Sequence, residues 1–242
     1  MNDGHTGQRL NERQRIAWLR LLRSENIGPR SFRELVNRFG GALAAIEALP
    51  ELARRGGRRS GVRVFSQAAA EEELEEVARV GAVLVAPGED GYPPALAHIH
   101  DAPPLLCVKG RREHGTGRIV AVVGARQASA LGQRMAALIA RELGVAGYVI
   151  ASGLARGVDT AAHEASLSSG TNAVLAGGID VVYPPQNEKL MDRIGEIGLL
   201  VSEVPPGLKP SARHFPRRNR LISGMSLGVA IIEAARRSGS LI

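Results

Sequence analysis

Apolar and polar positions change their rhythm along the chain. In the first third they recur at helical spacing; from Arg118 onward, short continuous apolar runs alternate with amphipathic stretches. Ile16, Trp18, Leu19 and Leu22 stripe one face of a helix predicted over Leu10 to Arg23. Asn26-Ile27-Gly28-Pro29 is a turn, and Ser31 with Glu34 has capping-box spacing for a second helix. Phe32, Leu35, Val36 and Phe39 form its apolar face, and Gly40-Gly41 end it. A third helix from Ala42 to Leu49 is expected to stop at Pro50. Ser66 caps a fourth, in which Leu74, Val77 and Val80 pack and the acids Glu71–Glu73, Glu75 and Glu76 read as a solvated face. Strands at 82–86 and 105–109, separated by a proline-rich passage, read as an extension of the sheet that follows.

That sheet is organised around Arg118 to Gly132, R-I-V-A-V-V-G-A-R-Q-A-S-A-L-G. Ile119 to Val123 is a β-branched run suited to a strand buried on both faces, Gly124 breaks it, and Ser129 offers an N-cap to the next helix. Further strands are predicted near 148–151, 173–176, 199–202 and 228–232, with helices near 130–143, 157–169, 187–197 and 217–226. This alternation defines the fold class: α/β, a Rossmann-like, doubly wound, mainly parallel sheet. It is preceded by a small all-helical domain resembling sterile-alpha-motif or helix-hairpin-helix modules. The expected division is 1–64, helices plus the basic connector Arg54 to Arg63, and 65–242, the Rossmann-like domain. The chain stops just after a glycine turn where a covering helix is expected, so its C-terminus reads as truncated.

Charge narrows the chemistry. The formal net charge is +7 and the pI about 10.4, which suits a polyanionic partner. The single Cys107 excludes an internal disulfide and fits a reducing cytoplasm, and no apolar stretch reaches the length of a membrane span. Aromatic residues are only 3% of the chain, so few rings are available to stack on bases. There is no G-x-G-x-x-G, no P-loop, no H-E-x-x-H and no C-x-x-C. No catalytic residue, metal ligand or cofactor is therefore assigned.

Ligands of open parallel sheets bind beyond the carboxyl ends of the strands. Those ends carry Gly124, Arg126 and Ser129; then Ser152, Gly153 and Arg156; then Tyr183 and Lys189. A loop after the fourth strand ends in Phe215, Arg217, Arg218, Asn219 and Arg220. Glycine turns opening onto helix N-termini are expected to present free N–H groups to phosphates. The arginines outnumber what one nucleotide needs, which points to a strand, with Phe215 and Tyr183 as the stacking rings. Asp159 and His163 read as a helix-start residue and a locally bonded histidine, not as metal ligands. Glu203 and Glu233 are expected to pair with the arginine cluster.

Six motifs in order carry a resemblance: V-V-G-A-R-x-x-S (122–129), S-G-L-A-R-G-V-D-x-x-A-H (152–163), G-G-I-D-V-V-Y-P-P-Q-N (177–187), S-E-V-P-P-G (202–207), F-P-R-R-N-R-L-I-S-G (215–224) and E-A-x-x-x-S-G-S-L-I (233–242). Together they resemble the DNA-processing protein A family (DprA, also called Smf). The resemblance implies a binding protein without turnover, which takes single-stranded DNA and loads a RecA-type recombinase in natural transformation. It implies a homodimer in the full-length protein and places DNA contacts on Arg126, Ser152, Gly153, Lys189, Phe215, Arg218 and Asn219. Leu131 stands where many members carry an aromatic ring. The competing reading is a Rossmann-like nucleotide or nucleoside-phosphate hydrolase, a group that carries a P-G-G-x-G-T-type motif absent here.

Overall fold

A computed structural model describes residues 9–55, 62–234 and 239. The middle of the basic connector and most of the final S-G-S-L-I motif lie outside the described residues. Four helices come first: α1 (Glu12–Arg23), α2 (Pro29–Phe39), α3 (Ala42–Arg55) and α4 (Gln67–Arg79). Asn11 caps α1 by accepting from the Gln14 N–H, and Gln14 returns a bond to the Asn11 N–H. The Trp18 ring meets the edge of Phe32 at 5.1 Å, joining α1 to α2.

Three local expectations are corrected here. The N-cap of α2 is Gly28, because Pro29 is preorganised for the first helical position. Ser31 sits two residues into the helix, and its Oγ accepts from the Gly28 N–H at 3.0 Å. Helix α3 does not stop at Pro50 but runs through it to Arg55, as buried Ala45, Ile46, Leu49 and Ala53 hold one face against the core. The acidic face of α4 is not all solvated: Glu73 is buried and forms an ion pair with Arg23 at 2.8 Å. Ser66 caps α4 as its sequence suggests.

The remaining elements are β1 (Val83–Val85), β2 (Leu106–Gly110), β3 (Ile119–Gly124), α5 (Ala130–Val145), β4 (Val149–Ser152), α6 (Val158–Ser166), β5 (Thr171–Val174), α7 (Glu188–Ile197), β6 (Leu199–Ser202), α8 (His214–Met225) and β7 (Val229–Ile232). The seven strands form one sheet in the order β1-β2-β6-β5-β4-β3-β7. Strands β6 to β7 of that order are parallel, while β1 and β2 add an antiparallel extension beyond β6. The chain steps from β3 through β6 in one direction, then returns by α8 to place β7 on the far side of β3. The strand order thus reverses between β3 and β7, and a crevice at such a switch point is where open α/β sheets bind ligands.

Both sheet faces are covered. On one, Val122 and Ile150 pack with Val158 and Ala162 of α6 and Ala136 and Ala140 of α5. The same side continues into the helical module, where Leu19, Leu22 and Ile46 share a core with Leu175, Leu200 and Ile194 of α7. On the other, Ala121, Val149 and Val201 meet Leu221, Ile222 and Met225 of α8. Alternate residues of one strand therefore serve opposite faces, as the pleat requires. Glu89 fixes the module to β1: its carboxylate takes both Arg15 guanidinium nitrogens, at 2.7 and 2.9 Å, and the Leu10 and Ala86 N–H groups. Burial pushes that carboxyl up, but Arg15 and the two N–H donors outweigh it and hold it below the usual range. Among the described residues no helix is long and apolar enough to cross a membrane.

Candidate nucleic-acid interface

The switch point opens into a basin of about 780 Å³, floored by Val123 and Gly124 and walled by Arg126, Arg156, Phe215 and Arg218. Gly124 belongs where it is because a Cβ there would run into the Ile232 carbonyl of β7 and into Val158. Helix α8 begins at His214, one turn earlier than its sequence suggested, since proline is tolerated in a helix's first turn and Pro216 falls there. Phe215 and the following arginines therefore project from a helix, not a loop.

Phe215 is the hub. The Arg126 guanidinium lies 5.0 Å from its ring centroid, Arg218 lies 6.0 Å away, and the Tyr183 ring approaches at 5.7 Å. Arg126 is exposed and Tyr183 is 44% exposed, whereas Arg218 is only 7% exposed. The Arg218 Nη1 donates to the carbonyls of Gly153 at 2.5 Å and Val174 at 2.7 Å. Asp159 takes the other side of the same loop, accepting the N–H groups of Gly153 at 3.1 Å and Ala155 at 3.2 Å. Burial pushes the Asp159 carboxyl up, opposed by the Arg218 charge. Gly153 is thus clamped by an opposite charge at each end of its backbone, with no room for a side chain beside the guanidinium. Asn187 pins the same loop by donating to the Leu154 carbonyl at 2.9 Å.

The turns that open onto α5 and α6 are bonded from within. Ser129 caps α5, and its N–H donates to the Glu233 carboxylate at 2.7 Å while its hydroxyl donates to the same group. Those bonds hold the Glu233 carboxyl below its ordinary range. Glu233 thus pairs with Ser129 at the helix start, not with the arginine cluster as its sequence suggested. The N–H of Val158, first in α6, goes to the Ala125 carbonyl at 3.2 Å, and that of Ala125 goes to Ile232. The expectation that the glycine turns offer free N–H groups is corrected: two carboxylates of the chain already sit where phosphates were expected.

The remaining candidates separate by environment. Arg156 is exposed on the basin wall. Ser152 is fully buried and donates to the Val122 carbonyl at 2.6 Å. Asn219 faces the basin and donates to the Gly239 carbonyl at 2.9 Å. Arg220 is tied to Glu203 through both carboxylate oxygens and to Asp101 at 3.2 Å. This is the pairing anticipated for Glu203. Arg217 is exposed on the α8 side that faces the helical module. Lys189 is exposed in the first turn of α7, away from the basin lining. His163 is buried, its Nδ1 sharing a hydrogen with Thr171 Oγ1 at 2.7 Å, and no metal-binding cluster occurs among the described residues. Asp159 and Glu233 as internal anions were missed, although a carboxylate just inside a helix start was a signal for the first.

The geometry defines a Rossmann-like protein whose switch-point crevice is walled by arginine and aromatic side chains, with an internal carboxylate at the helix start. The chain belongs to the DNA recombination-mediator protein A family, whose model matches residues 83–242. Residues 12–75 match a DprA-like N-terminal helix-hairpin-helix domain. The DNA processing protein DprA of Streptococcus pneumoniae is 47% identical over 156 residues, covering 64% of this chain and 55% of that protein. Protein Smf of a Synechocystis species is 41% identical over 175 residues, covering 70% and 44%. The chain spans about half the length of these relatives. The X-ray structure of the Streptococcus protein aligns with a TM-score of 0.68 at 34% identity, over 90% of this chain and 82% of that one. A Helicobacter pylori DNA processing protein A, described for its single-stranded DNA binding mode, aligns with a TM-score of 0.61 at 32% identity, over 66% and 73%.

Proposed function

We propose that this chain binds single-stranded DNA without reading its sequence and acts as part of a recombination mediator. The observation that carries this reading is the Arg126–Phe215–Tyr183 cluster. A half-buried ring is approached by an exposed cation and by a second, exposed ring. Such a set takes a phosphate and an unpaired base together, and base–aromatic stacking contributes about 1–3 kcal/mol per base. With the start of α5 held by Glu233 and the Gly153 and Ala155 N–H groups by Asp159, side-chain cations supply the phosphate contacts: Arg126 and Arg156 in the basin, with Arg217 on the outer side of α8 and Lys189 on α7 farther along the strand. Arg218, Asp159 and Gly153 hold the wall, and Arg220 with Glu203 holds the base of α8. The described single-stranded DNA binding of the Helicobacter relative supports the ligand.

Family membership supports the further step that the bound strand is handed to a RecA-type recombinase, with the protein working as a homodimer in the cytoplasm and protecting incoming DNA. The alternative of a nucleotide hydrolase finds less support, because the Glu233 carboxylate that would serve as its catalyst is committed to Ser129. The direct test titrates labelled single- and double-stranded oligonucleotides at two salt concentrations. Neutralising about four phosphates at ~0.7 each predicts a log–log salt slope near −2.8 on the single strand. A nearly salt-independent affinity, or release of free base from a nucleoside monophosphate, overturns the reading.

A further inference from the structure

A second groove, of about 560 Å³, lies between the turn joining α1 to α2 and the outer side of α8. One wall is Ile27, Gly28, Pro29 and Arg30; the other includes Pro216 and Arg217. Pro216 and Arg218 line this groove and the switch-point basin alike, so the two are neighbours across the first turns of α8. The acids that enter the groove, Glu203 and Asp101, share Arg220, which leaves a single negative charge between the three groups. Arg23 is matched by Glu73. Arg30 and Arg217 are exposed and form no ion pair among the described residues. Arg30 and Arg217, one cation on each wall and from each part of the molecule, outweigh that residual charge and leave the groove net positive.

We propose that the groove is the continuation of the nucleic-acid path: a single strand leaving the basin crosses Pro216 and runs between Arg217 and Arg30. This rests on the strand-binding reading above and extends it to the helical module. The contact is made by the arginine side chain and not by the glycine turn, since the Gly28 N–H is already given to Ser31. A polyanion fits better than an acidic protein segment, because the groove prolongs a basin whose own exposed cations flank aromatic rings.

The test compares oligothymidylates of about 6 and about 20 nucleotides, lengths that bracket a single binding site and its extension. Arg30→Glu is exposed and outside the basin, and circular dichroism checks that the variant is folded. It is expected to weaken the long oligonucleotide on the order of tenfold and to reduce its salt slope by about 0.7, while the short one binds as before. Arg126→Ala should weaken both lengths. An unchanged long-strand affinity in Arg30→Glu overturns the proposal and leaves the groove to a protein partner. Equal losses at both lengths also overturn it, since they mean a general charge effect. Failure of the unmodified protein to bind either length instead refutes the strand-binding reading itself.

Discussion

Arg126 and Arg218 both approach one phenylalanine ring and do opposite work. Arg126 comes from the turn after β3, reaches solvent and touches Phe215 only through its ring. Arg218 comes from α8, is almost fully buried and spends Nη1 on two carbonyls from different strand ends. The side chains are identical and both sit at the carboxyl edge of the sheet. What differs is the company: Arg218 faces Asp159 and the clamped backbone of Gly153, whereas the carbonyls near Arg126 are already bonded to Val158. Position at a strand end therefore makes a cation available for a ligand only if no internal acceptor claims it first.

The largest effect expected from breaking this contrast is on stability. Arg218→Ala leaves Asp159 buried without its opposing charge and orphans two carbonyls. Removing one partner of a buried pair costs about 3–5 kcal/mol. A urea midpoint unchanged from the parent would show that Arg218 is no brace. Arg126→Ala, by contrast, should leave that midpoint where it is.

The braced side also has a pH signature. Burial, aided by the Arg218 charge, pushes His163 down to about 3. The folded protein thus holds a neutral imidazole, while the unfolded chain binds a proton below its ordinary value near 6.5. With more protons on the unfolded state, stability is full above about pH 6.5 and falls as pH drops toward 3, by roughly 1.4 kcal/mol per unit. Urea titrations at pH 7 and pH 5 should therefore differ by about 2 kcal/mol from this group alone. His163→Gln should remove that share of the slope; an identical slope in the variant would contradict the assignment.

On the free side the effect is on binding. Arg126→Ala should weaken single-stranded DNA by about tenfold, or about 1.4 kcal/mol, equally for all sequences, because a phosphate contact reads no base. A sequence-dependent loss, measured across homopolymer oligonucleotides, would move Arg126 from the backbone to the bases.

This contrast marks how far the chain could be read without coordinates. Ile119 to Val123, the Ser129 and Ser66 caps and the alternation that follows are local, and each appears where its residues place it. The site was legible as an edge: Gly124, Arg126, Arg156, Phe215 and Arg218 meet around one basin. The division of labour was not, because it depends on long-range partners. Arg218 meets Gly153 across 65 residues, and Ser129 meets Glu233 across 104. Glu73 was hidden in the same way, since its acidic neighbours suggested solvent while its partner Arg23 lay three helices earlier.

The smallest expected change is the one that most sharpens the comparison. Glu233 is exposed, yet its carboxylate holds the start of α5, the position at which a nucleotide-binding βαβ unit receives a phosphate. A turn without G-x-G-x-x-G opposes a bound phosphate sterically and this internal anion opposes it electrostatically, and Glu233→Ala separates the two effects. Ser129 keeps its own bond to the Gly132 N–H at 3.0 Å, so the helix remains capped and the folding midpoint should move little. If electrostatics excludes the mononucleotide, Glu233→Ala should bind a nucleoside monophosphate that the parent refuses, visible by equilibrium titration. If the variant refuses it equally, the backbone of the turn is the barrier. Glu233 then serves only to tie β7 to the start of α5.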